Sequence, residues 1–143
     1  MTKISTEQAE VLLDEGATYV DVRTEEEFAD GHVPGAINVP VSFMAPGGMS
    51  PNDQFIDVMN ATFAKDQLLI VACKAGGRSA RAAALLEQAG FTKIQDMTAG
   101  FSASKDAFGQ PIPGWQAEGR EVEIDAEVDQ TYAGVRRLAK LPS

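Results

Sequence analysis

The chain has 143 residues, 44% of them hydrophobic, with 12 basic against 21 acidic side chains and a formal charge of −9. This length suits one domain that buries roughly 70% of the surface of its unfolded chain. The charge disfavours nucleic acid and anionic membrane as partners, and the single cysteine permits no internal disulfide. The longest apolar run, 68–73, is far short of the ~20 residues that span a bilayer. Met1-Thr2-Lys3-Ile4-Ser5 lacks a charged-then-apolar leader, and neither end carries a lipidation motif. A protein of the cytoplasm, a reducing compartment, is expected.

Helical and extended patterns alternate along the chain. Ser5-Thr6-Glu7-Gln8 fits a capping box, and Ala9, Leu12 and Leu13 follow at helical spacing until Gly16. Thr18-Tyr19-Val20-Asp21-Val22 reads as a buried strand, and Thr24-Glu25-Glu26-Glu27 opens a second, brief helix. A turn-rich link from Gly31 leads into a short strand, Ala36-Ile37-Asn38-Val39. Residues 44–51, with two glycines and two prolines, are expected to form a mobile loop, with Met44 and Met49 as an apolar rim or as ordinary loop residues. Ser50 is expected to cap a helix with Pro51 in its first turn, its apolar side formed by Phe55, Ile56, Val58, Met59 and Phe63.

Residues 67–73 are the most apolar segment and should form the central strand. A helix is expected over 79–88, ended by Gly90, and a further strand over 91–95. Alternating strands and helices argue for an α/β fold around a parallel sheet. Residues 1–123 read as the main domain, and 124–143 as an appended acidic link and basic helix around 135–139.

The chemistry concentrates where the central strand ends. Cys73-Lys74-Ala75-Gly76-Gly77-Arg78-Ser79 places the only thiol on a loop between strand and helix, and ligands of open parallel sheets bind at such strand ends. Backbone amides of 74–78, the positive end of the following helix and Arg78 all favour the thiolate, the reactive form. Lys74, Arg78 and Arg81 lie near the thiol with no acidic residue among them, as befits a small anion; a solvated helix face is the alternative.

These residues resemble the active-site loop of rhodanese-like sulfurtransferases. Asp21-Val22-Arg23 followed by Glu27-Phe28 is similar to the family's early strand-to-helix motif, and Gly31-His32-Val33-Pro34-Gly35-Ala36-Ile37-Asn38-Val39-Pro40 to its second signature. The resemblance covers about residues 3–122. It implies an α/β fold with a central five-stranded parallel sheet flanked by helices on both faces, and no cofactor or metal. It also implies that Cys73 takes a sulfur atom from a small anionic donor such as thiosulfate, becomes a persulfide, and passes the sulfur to cyanide or a thiol. Lys74, Ala75, Gly76, Gly77, Arg78 and Ser79 would form the substrate-binding loop, with Arg78 either holding the donor or bracing the loop. Asp21, Arg23, Glu27 and His32 would support it structurally. His32 is the only histidine, so a general base is the competing reading of that residue.

The chain departs from the family late. Ala99-Gly100-Phe101 stands where a glycine pair and then a tryptophan are usual, the only tryptophan is Trp115, and 105–114 behaves as an insertion. Two readings of other classes remain: a persulfide carrier or partner-binding module in a sulfur relay, and a phosphatase or arsenate reductase of the same fold. Those oxyanion enzymes carry one more residue between cysteine and arginine than the four present here.

Overall fold

In the computed structural model, which describes residues 1–141, β1 (Thr2–Ile4) leads into α1 (Thr6–Asp14) through the expected capping box of Ser5 and Gln8. β2 (Thr18–Asp21) and α2 (Glu25–Asp30) follow, the latter capped reciprocally by Thr24 and Glu27. Next come β3 (Ile37–Asn38), a hairpin of β4 (Ser42–Ala45) and β5 (Gly48–Pro51), and α3 (Phe55–Thr62). β6 (Leu69–Ala72), α4 (Gly77–Gln88) and β7 (Ile94–Met97) bring the thiol loop into place. A second hairpin, β8 (Ala103–Lys105) with β9 (Pro111–Pro113), precedes a 3-10 turn at Val128–Gln130 and α5 (Tyr132–Ala139).

Five strands form one parallel sheet in the order β1-β7-β6-β2-β3, with β6 in the middle. Alternation along the strands builds two cores. Val20, Leu69 and Val71 face α3, α4 and α5, whose Phe55, Val58, Ala82, Leu86 and Val135 they meet. Tyr19, Ile70 and Ala72 face the other way, towards Ala9 of α1 and Phe28 of α2. Strands buried on both faces explain why β6 carries an unbroken apolar run. Helices therefore cover both faces, as the resemblance implied. Among the described residues, no helix is long and apolar enough to cross a membrane.

Several boundaries differ from the sequence reading. Residues 44–51 are not a plain loop but the β4–β5 hairpin, with Met44 opposite Met49. Ser50 and Pro51 lie in β5, so they do not start a helix; Asn52 turns the chain instead. Its side-chain oxygen accepts from the Gln54 amide at 3.0 Å, while its amide donates to the Pro40 carbonyl at 2.8 Å and to the Tyr132 hydroxyl at 2.9 Å. α4 starts two residues ahead of Ser79. β7 overlaps the expected 91–95 only at Ile94 and Gln95 and runs on to Met97, because Phe91 anchors a turn through its amide bond to the Leu86 carbonyl. α5 packs on α3, and Tyr132 and Val135 join the core on that side of the sheet.

Candidate active site

Cys73 directly follows β6, so its side chain continues that strand's alternation and points to the α4 side, buried to 2% exposure. The chain then tightens through Lys74-Ala75-Gly76. The amide of Gly76 donates to Cys73 Sγ at 3.0 Å. Gly76 is the N-cap of α4 and sits at φ +101, and a Cβ there would lie 2.7 Å from the Thr98 carbonyl oxygen. Both facts demand glycine. The start of a 12-residue helix thus lies against the sulfur, where its dipole favours negative charge.

A second segment braces the loop from behind. The amide of Phe101 donates to the Cys73 carbonyl at 2.7 Å, and that of Ser102 to the Lys74 carbonyl at 3.0 Å. Gly100, at φ +76, lets the two backbones approach, since a Cβ there would collide with the Lys74 carbonyl. This explains why the chain keeps a glycine at 100 although it departs from the family pattern at 99.

The cations near the thiol are employed differently. Arg78 donates from Nη1 to Glu27 Oε1 at 2.6 Å and from Nη2 to Oε2 at 3.0 Å, a two-point pair between α4 and α2. Partial burial pushes the Glu27 carboxyl up, but Arg78 and Thr24 outweigh it and hold the group at about 2. The same pair raises the Arg78 guanidinium above its ordinary value. Arg81 is exposed and reaches the Ser42 hydroxyl at 3.3 Å. Lys74 is exposed and has no ion-pair partner among the described residues. It stands at the edge of a cleft of about 250 Å³, lined also by Arg23, Glu27, Phe101, Ser102 and Gln116.

Asp21 and Arg23 form a buried ion pair, Nη2 to Oδ2 at 2.8 Å. Arg23 also donates to the Gly31 carbonyl at 2.7 Å and lies 4.2 Å from the Phe101 ring centroid. Burial works against that guanidinium's charge, and Asp21 more than restores it. Asn38, unremarked in the sequence, ties the turn by donating to the carbonyls of Asp21 and Arg23 at 3.0 and 2.9 Å. His32 is fully buried, stacks on Phe28 at 4.0 Å, and has its ring nitrogens 2.8 Å from the Phe28 carbonyl and 3.0 Å from that of Asp125. Its side chain thus links α2 to the segment before α5 and makes no hydrogen bond to the thiol loop.

Sequence reasoning passed over Asp96 of β7. This buried carboxyl has Oδ1 2.8 Å from the Ser79 hydroxyl oxygen, within hydrogen-bond distance. The only hint was an acidic residue between Ile94 and Met97, inside a strand pattern.

The family model described as Rhodanese-like domain matches residues 5–107. The chain belongs to the rhodanese-like domain family. Among curated relatives it is 43% identical over 102 residues to thiosulfate sulfurtransferase 16, chloroplastic, of Arabidopsis thaliana, a match covering 71% of this chain and 85% of the relative. It is 42% identical over 99 residues to the mitochondrial protein HIGH ARSENIC CONTENT 1 of the same plant, covering 69% of this chain and 59% of that relative. Among solved structures, Rv0390 from M. tuberculosis aligns with a TM-score of 0.70 at 27% identity, over 87% of this chain and 98% of its own. A human single-domain sulfurtransferase shares the rhodanese-like fold at TM-score 0.56 and 23% identity, over 71% and 92% of the two chains.

Proposed function

We propose that this rhodanese-like protein is a thiosulfate sulfurtransferase-type enzyme that carries sulfane sulfur on Cys73. The observation that carries the reading is the Gly76 amide aimed at Cys73 Sγ at 3.0 Å from the start of α4. In the first step the Cys73 thiolate attacks the outer sulfur of thiosulfate. A new S–S bond forms, the donor's own S–S bond breaks, and sulfite leaves with the electron pair. The resulting anionic persulfide sits where loop amides and the helix dipole stabilise negative charge. In the second step cyanide or a thiolate attacks the outer sulfur and releases the Cys73 thiolate. This two-step covalent exchange needs no separate base once the thiolate is formed.

Lys74 and Arg81, whose charges are not taken by carboxylates among the described residues, serve the anionic donor in this account. Arg78, held by Glu27, braces the loop and completes its positive environment. That pairing also weakens the phosphatase or arsenate reductase reading, which needs an arginine fork free for a tetrahedral oxyanion. A relative sharing 43% identity bears the name thiosulfate sulfurtransferase, which supports the donor class. Residues 124–143 are an addition to the unit formed by 1–123, and α5 within them closes the face over α3. A cytoplasmic setting, suited to a lone reduced thiol, belongs to the same proposal.

Incubating the protein with thiosulfate and then cyanide, with thiocyanate as readout, tests the activity. Saturable turnover marks a free enzyme. Slow turnover with rapid transfer to a protein thiol marks a relay component. Loss of neither activity in Cys73→Ser overturns the mechanism.

A further inference from the structure

Gly76 holds the thiol through its amide and is itself held through its carbonyl. The Ser79 hydroxyl lies 3.2 Å from the Gly76 carbonyl oxygen and 2.8 Å from Asp96 Oδ1. Ser79 is fully buried and Asp96 is 1% exposed. A hydroxyl has one hydrogen, so it cannot donate to both oxygens at full strength. The second Asp96 oxygen, Oδ2, is buried without a partner.

These constraints have one arrangement that satisfies both contacts. If Asp96 carries a proton on Oδ1, it donates to Ser79 Oγ, and the Ser79 hydrogen is free for the Gly76 carbonyl. An ionised carboxylate would claim the Ser79 hydrogen for itself and leave a charged oxygen buried and unpaired, which is costly. Burial raises the Asp96 carboxyl above its ordinary value, against the pull of Ser79 and of Lys3. Lys3 is its register partner on β1 and the charged group facing it; on the β6 side the partner is Val71.

The geometry points to Asp96 and Ser79 as positioning residues: a neutral Asp96 donates to Ser79, which latches the Gly76 carbonyl and so keeps the Gly76 amide on Cys73 Sγ. This rests on Cys73 being the reacting thiol. Neither residue touches the sulfur. Their effect is on where the loop stands, and hence on how readily the thiolate forms.

The test is the rate of Cys73 alkylation by iodoacetamide against pH, in wild type, Ser79→Ala, Asp96→Ala and Asp96→Asn, with circular dichroism confirming the fold of each. Ser79→Ala and Asp96→Ala are expected to move the midpoint up by about one pH unit, which is about a tenfold loss of rate on the acid side. Asp96→Asn presents a permanent N–H donor to Ser79 and is expected to keep the wild-type midpoint. A Ser79→Ala midpoint equal to wild type, or an Asp96→Asn midpoint displaced as far as that of Ser79→Ala, overturns the proposal. If Asp96→Ala does not fold, the other two variants decide alone. Iodoacetamide needs no sulfur donor. Failure to form a persulfide, with the variants ordered as expected, therefore counts against the sulfurtransferase reading and not against the latch.

Discussion

Glu27 and Arg78 are 51 residues apart in sequence and meet in a two-point ion pair, 2.6 and 3.0 Å, that ties α2 to the first turn of α4. The helix that carries the thiol loop is thereby fixed to the opposite layer of the sheet. The pair is partly buried, with 18% of the Arg78 and 26% of the Glu27 side chain exposed.

That pair gives the fold an acid-sensitive joint. The Glu27 carboxyl falls from 4.5 to about 2 on folding. A lowered folded value means that the stabilisation is complete above the unfolded value and is lost as pH falls from about 4.5 through about 2. The shift corresponds to at most about 3 kcal/mol, and solvent screening reduces it to about 1–2. Urea unfolding from pH 6 down to pH 2 should show this loss in wild type and a flatter profile in Glu27→Gln. Parallel profiles would show that the pair contributes nothing.

Lys74 and Arg78 are expected to fail differently. Lys74→Ala should raise the thiosulfate KM several-fold with kcat largely kept, since only a charge near the donor is lost. Arg78→Ala should lower kcat as well and move the alkylation midpoint upward, because it leaves the Glu27 carboxylate unpaired near the thiol loop. Steady-state kinetics on both variants, with equal KM effects and unchanged kcat in each, would contradict the division of roles.

The two adjacent glycines offer an internal control. Gly76→Ala forces a Cβ at φ +101 to within 2.7 Å of the Thr98 carbonyl, and should cost about 1–3 kcal/mol and most of the activity. Gly77→Ala meets nothing within 4 Å and lies in the first turn of α4, so it should be neutral or slightly stabilising. Thermal melts and turnover assays separate them directly.

Truncation after Glu123 removes α5 and with it the buried Tyr132 and Val135. Losing these two side chains should cost about 3–6 kcal/mol and expose Asn52, which donates to the Tyr132 hydroxyl at 2.9 Å. A melting temperature within a few degrees of wild type would show that α5 is not part of the core.

What was legible in the chain was mostly local. The capping boxes at Ser5 and Thr24 and the two-sided apolar run of β6 carry their signals within a few residues. So does the Cys73–Arg78 loop, with its glycines and its place after a strand. Long-range partnerships were not legible. Nothing in the surroundings of Glu27 announces Arg78, and nothing beside Asp96 announces Ser79, 17 positions earlier. β1 has only three residues, and one side of its pairing comes from β7, more than 90 positions away. The β4–β5 hairpin was hidden by its glycines and prolines, which mark a turn but also occupy the strands beside it. Ser50-Pro51 carries a helix-start pattern, yet Asn52 is the residue that makes the turn, through hydrogen bonds to segments the local pattern does not include.

The most direct test of the account is the intact mass of the reduced protein before thiosulfate, after thiosulfate, and again after cyanide. The account predicts the gain of one sulfur atom, its location on Cys73, and its removal by cyanide with the formation of thiocyanate. An unchanged mass with Cys73 still open to alkylation would contradict thiosulfate as the donor. A sulfur found on the protein when Cys73 is replaced by serine would contradict the mechanism itself.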